Sequence, residues 1–332
     1  MGKINTAMCS FLSNKGRFAD LFNGALFQGR NIIKAEDLKA ASEQYPVMDG
    51  KTLHRFRDIK MYLNSGEALR ILALENQNLV DYTLPYRCMQ YDTFEYGRQL
   101  DELKQHNKDN HCLHEPAERL SGITQNDRLT PVYTLCLYHG EEPWNGPHTL
   151  RDMMNFGNDC DNLSHFFADY PMRLFCINEH SDFSCFHTEL RELFTALAYR
   201  KNKNQLYVAM TENAAFRKLN SETVRVMSIL LNAPVLWKER ERYMNINQEE
   251  EEEYNMCQAL QELFEDAKNA GFGQGISEGI SQGISQGISQ GVDLMSLLSQ
   301  KLFTDNRLED LKKAVFDPEF REQLLKEYKL KN

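Results

Sequence analysis

The sequence has no apolar run near the roughly 18–20 residues that a membrane-spanning helix needs, which argues against an integral membrane protein. The opening Met1-Gly2-Lys3-Ile4-Asn5 lacks a basic stretch followed by an apolar one, so no secretion leader is expected. Cys-x-x-Cys pairs are also missing: the eight cysteines stand at 9, 88, 112, 136, 160, 176, 185 and 257. That scatter argues against a disulfide framework and points to free thiols in a reducing compartment. A cytoplasmic protein without a membrane partner is the expectation. There is no phosphate-cradling glycine loop, no dinucleotide-binding fingerprint and no Ser–His–Asp arrangement.

What is present supports a real core: 42% of residues are hydrophobic and 11% aromatic. The net charge is −10, but it is unevenly placed. Residues 249–253 are five consecutive glutamates, while residues 1–60 hold ten Lys/Arg against six Asp/Glu. Local field decides whether a cleft attracts phosphates, so the total leaves a nucleic-acid partner open.

Periodicity predicts mixed α/β structure. Phe18, Leu21, Phe22, Ala25 and Leu26 form a helical stripe, and Tyr82–Leu100 and Leu190–Tyr199 have the same period. Strands are predicted at Phe56–Leu63, Leu69–Leu74, Val132–Tyr138 and Leu206–Met210. In the third, Tyr133, Leu135 and Leu137 are expected to face the core. Past residue 212 the pattern changes: 213–270 reads as a helical accessory region and 271–292 as a Gly-Ile-Ser-Gln repeat. Residues 293–332 close the chain as a helical segment. Five glycines cost a helix about 5 kcal/mol relative to alanine, which slightly favours a tether for the repeat. Close packing against a second copy, giving a homo-oligomer through the repeat and the last helices, is the alternative.

The first two strands invite an antiparallel hairpin. With residues 64–67 as the loop, Asp58 lies opposite Ala73, and Asp58, Ala73, Glu75 and Gln77 share one face. A two-residue shift preserves that grouping, and a one-residue slip destroys it. Two carboxylates at a strand end suit a hard cation such as Mg²⁺ or Mn²⁺, which takes oxygen ligands. On spacing alone, two solvated rim residues are the commoner arrangement. Lys60 falls on the same face as Asp58. Arg57 and Arg87 are candidates for DNA-backbone phosphates, although Arg57 could equally pair with a nearby carboxylate. His106, His111, Cys112 and His114 cluster within nine residues, but a solvent-exposed loop between Leu103 and Leu120 explains them better than zinc.

An ordered series of words adds to this reading: Arg17-Phe18-Ala19-Asp20-Leu21-Phe22-Asn23-Gly24, Arg57-Asp58, Leu74-Glu75-Asn76-Gln77, Pro85-Tyr86-Arg87-Cys88-Met89-Gln90-Tyr91-Asp92 and Thr130-Pro131-Val132-Tyr133. Over about residues 15–265 the series resembles the Rpn recombination-promoting nucleases (the YhgA-like transposase family), of the PD-(D/E)xK superfamily. The resemblance implies a restriction-endonuclease-like α/β core over residues 1–212 and Mg²⁺-dependent DNA endonuclease activity linked to recombination. It makes Asp58 and Glu75 the metal-binding acids and puts Gln77 where the superfamily motif carries Lys. Asp20 then matches an acid on the first helix. Lys60, from its place on the Asp58 face, could supply the cation that Gln77 lacks, although a merely exposed strand lysine is the commoner arrangement. The competing reading is an inactive nuclease-fold protein serving as a DNA-binding or assembly factor.

Overall fold

A computed structural model describes residues 2–41, 47–48, 51–52, 57–65, 68–157, 162–246 and 252–330. It divides into two compact units, Met1–Leu260 and Gln261–Asn332. No helix among the described residues is long and apolar enough to cross a membrane.

The first unit is α/β, built on a five-stranded mixed sheet. In chain order its strands are β1 (Leu38–Ala40), β2 (Ile59–Ser65), β3 (Ala68–Gln77), β4 (Val132–Tyr138) and β5 (Arg173–Cys176), and they lie side by side in that order. β1, β2 and β3 pair antiparallel, whereas β3–β4 and β4–β5 are parallel. A parallel step needs a crossover, which α3 (Leu84–Asp109) provides between β3 and β4. Helices α1 (Lys3–Leu12), which α2 (Lys15–Phe27) follows, and α3 cover opposite faces of β3. Asn76 bonds to Asn5 on α1 and its neighbour Glu75 to Arg87 on α3, as period-2 alternation requires.

The predicted hairpin is present with its register moved by two residues: Lys60, not Asp58, faces Ala73. Ser65 pairs with Ala68, so the turn is tighter than the loop expected, and residues 66–67 lie outside the described residues. The first part of the predicted strand, residue 56, and the three residues before it also lie outside them. β4 is buried on both faces from Thr134 to Tyr138, not on one, because helices cover both sides of a central parallel strand.

Leu206–Met210 is helical, within α5 (Lys203–Glu212), which follows α4 (Leu190–Tyr199). The Asn202 side chain caps it by accepting from Gln205 N at 3.1 Å. Its buried residues, Leu206 and Met210, are one helical turn apart, a spacing that a five-residue apolar run conceals. The boundary expected near residue 212 falls inside the first unit: α6 (Ser221–Leu230) packs on α1 and α4.

The glycine repeat belongs to a long helix, α7 (Met256–Thr304), where the glycine cost slightly favours a flexible segment. A Cβ built at Gly279, Gly283, Gly287 or Gly291 would meet no atom within 4 Å. Ile276, Ile280 and Ile284 are about half exposed. Beyond the repeat, Leu298 and Leu302 form a small core with α8 (Leu308–Phe316) and α9 (Pro318–Glu327) through Ala314, Leu324 and Leu325.

Candidate metal centre

The central strand β3 runs apolar through Ile71-Leu72-Ala73-Leu74, all buried, and then places Glu75 in the same interior with no exposure. A carboxylate there is expensive unless it is compensated. Compensation is partial. Oε2 accepts from Arg87 Nη2 at 3.1 Å, while Oε1 is buried with no hydrogen-bond partner. Asp58 precedes Ile59, the partner of Leu74, so the hairpin brings the two acids side by side at the end of the ladder. Its carboxylate accepts from the Asn76 backbone amide at 2.6 Å. Burial raises Asp58 to about 6, against the lowering effect of the Asn76 amide and of Arg87. Glu75 is held well above the usual carboxylate range, first by burial and then by the charge of Asp58.

Arg87, in the first turn of α3, also binds Asp81, which in turn accepts from Thr83 N and Oγ1. Three carboxylates, Asp58, Glu75 and Asp81, therefore share the field of one guanidinium. That crowding of acids, two of them held above the usual carboxylate range and one with a buried unpartnered oxygen, fits a hard divalent cation. Mg²⁺ commonly takes one or two carboxylates and completes its shell with water and substrate oxygens. Among the described residues no group of three or more His, Cys, Asp or Glu is arranged to hold a metal, so any cation here would rest on this pair.

The other predicted residues divide into those near the pair and those engaged elsewhere. Gln77 is half-buried, two residues beyond Glu75 on the same face, and its backbone carbonyl accepts from His139 N at 3.0 Å. Lys60 donates to Glu95 Oε2 at 3.0 Å, and Arg98 binds the same carboxylate, so Lys60 is not a spare cation. Arg57 takes the carboxylate alternative and pairs with Asp92, whose oxygens also accept from Thr134 Oγ1 at 2.9 Å and from the Tyr170 hydroxyl. With only 8% of its side chain exposed, Arg57 does not present itself to a DNA backbone, and Arg87 is committed to Glu75 and Asp81.

Asp20 makes its bonds elsewhere. It accepts from His187 N, Thr188 N and Thr188 Oγ1 at 2.7–3.0 Å and so fixes the turn that leads into α4. The rest of its motif is scaffolding too. Arg17 bridges Glu189 and Glu222, Asn23 ties down Ile32 and Ile33, and a side chain at position 24 would collide with Phe186. His106, His111 and His114 are exposed and Cys112 is half-buried; His106 Nδ1 lies 3.2 Å from Asn110 Nδ2, and no metal cluster forms among these described residues. α3 runs on to Asp109, which leaves a loop shorter than predicted.

Sequence reasoning missed His139. It follows β4 at the carboxyl end of the parallel pair and is 2% exposed. Burial and the nearby Arg200 guanidinium lower it to about 3, so the imidazole is neutral, with Nε2 unpartnered. In the sequence it was visible only as half of a His-Gly turn. Gly140 is required there because a Cβ would lie 2.2 Å from the Tyr138 ring.

Comparison with protein-family models, curated proteins and solved structures gives no match, so the reading rests on this geometry.

Proposed function

We propose that this chain is a Mg²⁺- or Mn²⁺-dependent DNA endonuclease with a restriction-endonuclease-like core, acting in recombination or mobile-element biology. The carrying observation is Glu75: fully buried, beside a second carboxylate, with one oxygen lacking any partner. Asp58 and Glu75 would hold the cation. When bound, it supplies Lewis-acid polarisation of the phosphodiester and a more acidic water.

The protein's own groups do the rest. Arg87 fixes the Glu75 carboxylate from its Oε2 side and leaves Oε1 for the cation. The Asn76 amide orients Asp58. Gln77, on the Glu75 face, can donate an amide N–H to a phosphate oxygen or accept from the attacking water, but it brings no charge. Residues of three of the motif words, Arg57, Asp58, Glu75, Arg87 and Asp92, form with Thr134 one connected set of bonds and neighbours.

Of the alternative, an inactive DNA-binding or assembly factor, one observation favours the inactive assembly form: Arg57, Lys60 and Arg87 are all spent on internal carboxylates, which leaves none of the three for a phosphate. Electron paramagnetic resonance of Mn²⁺ titrated into the full chain tests the choice. The proposal expects one bound ion, lost in Glu75→Gln. DNA binding with no bound ion in the wild-type chain would favour the alternative.

A further inference from the structure

Two thiols stand beside Glu75. Cys88 Sγ and Cys136 Sγ are 3.4 Å apart, both almost wholly buried, in a cluster with Leu84, Tyr138, Trp144 and Cys176. Cys88 follows Arg87 in α3, and Cys136 is the ladder partner of Glu75. Cys88 also lines an open cavity of about 390 Å³ whose walls include Met89, Asp92, Thr134, Tyr170 and Arg173. The cavity therefore reaches the Cys88 residue, itself only 1% exposed, and does not reach Cys136.

We propose that Cys88 and Cys136 are an oxidisable dithiol, converted by small hydroperoxides into a disulfide that disables the neighbouring carboxylate site. Cys88 Sγ, reached through the cavity, attacks one peroxide oxygen. The O–O bond breaks, the alcohol (or water) departs with a proton, and Cys88 becomes a sulfenic acid. Cys136 Sγ then attacks Cys88 Sγ, the S–O bond breaks, and the hydroxyl leaves as water with the Cys136 proton. Two thiols have lost two electrons to one peroxide, giving one disulfide.

The consequence is geometric. A disulfide holds its sulfurs about 2.05 Å apart, so the pair must close by roughly 1.3 Å. Both ends of the 3.1 Å Arg87–Glu75 contact adjoin the crosslink, Arg87 preceding Cys88 in α3 and Glu75 pairing with Cys136 in the ladder, so the closure falls on that contact. Groups that orient a metal ligand are typically worth about 10–100-fold in affinity. Oxidation should therefore weaken Mn²⁺ binding by at least tenfold. This consequence rests on reading Asp58 and Glu75 as a cation site; the disulfide itself does not.

The test treats the full chain with hydrogen peroxide and with cumene hydroperoxide, then maps the non-reduced digest by mass spectrometry and titrates Mn²⁺ before and after. The expected result is a Cys88–Cys136 crosslinked peptide, reversed by dithiothreitol, together with the loss of Mn²⁺ affinity. Cys136→Ala should give no crosslink and should hold Cys88 at the sulfenic or a higher oxidation state. Absence of the crosslink in wild type, or a crosslink that leaves Mn²⁺ affinity unchanged, would overturn the proposal. A reversible crosslink in a chain that binds no Mn²⁺ even when reduced would overturn the cation-site reading and the disabling effect, leaving only the oxidation itself.

Discussion

Replacing Asp58 by Asn should make the metal-free protein more stable and at the same time blind to Mn²⁺. The native carboxylate is raised from its ordinary 3.8 to about 6, mainly by burial. A rise of that size is worth about 3 kcal/mol, and partial solvent access reduces it to about 1–2 kcal/mol. The sign follows from linkage. The folded state holds the proton more tightly than the unfolded one, so stability falls as pH rises from about 4 through about 6. The substituted amide removes that loss, and its carbonyl oxygen can still accept from the Asn76 backbone N–H. In EDTA at pH 8 the variant should melt about 2–4 °C above wild type, and the gap should shrink at pH 5. Mn²⁺ reverses the order. At a hundredfold excess over its dissociation constant, the ion adds about 2.7 kcal/mol to a protein that binds it only when folded. Wild type should gain that and the variant should not. A variant that melts lower in EDTA at pH 8, or that responds to Mn²⁺ as wild type does, would refute the reasoning.

Three further outcomes follow from the same geometry. Asp92→Asn leaves Arg57 buried without its counter-charge, so chemical denaturation should show a loss of about 3–5 kcal/mol; a loss below about 1 kcal/mol would mean that the pair is dispensable. Asp20→Ala frees three donors at the turn before α4 and should cost about 2–3 kcal/mol, with Mn²⁺ affinity unchanged in the folded protein. A lost ion there would place Asp20 in the site after all. Gln77→Lys should preserve or raise Mg²⁺-dependent cleavage, because it adds positive charge where the transition state gathers negative charge; complete inactivation of a folded, Mn²⁺-binding variant would deny residue 77 a part in the chemistry.

The carboxylate pair was legible because strand alternation survives a two-residue register shift: Asp58 and Glu75 stay on one face whether Asp58 or Lys60 meets Ala73. The helices at Lys15–Phe27 and Leu190–Tyr199 were legible for the same kind of reason, a long and regular apolar period. Leu206–Met210 was not, since five residues hold too little of either period and the deciding Asn202 cap lies outside the run. The fate of the cations was hidden as well. Whether Arg57 meets a phosphate or Asp92 depends on α3 crossing the sheet, a contact 35 residues away in sequence. Asp20 was misplaced because a buried acid capping a distant turn and a buried acid in a site look alike in one dimension. The glycine repeat yielded its period but not its state, because a propensity sum predicts a broken helix where an unbroken one stands.

The central claim is that Asp58 and Glu75 work together in cation-dependent hydrolysis of DNA. Cleavage of supercoiled plasmid by the purified full chain, with Mg²⁺, with Mg²⁺ plus EDTA, and with Asp58→Ala and Glu75→Ala, tests it most directly. The account predicts nicking or linearisation only in wild type with free Mg²⁺, and none from either folded variant. Wild-type rates from either variant, or cleavage undiminished by EDTA, would contradict it.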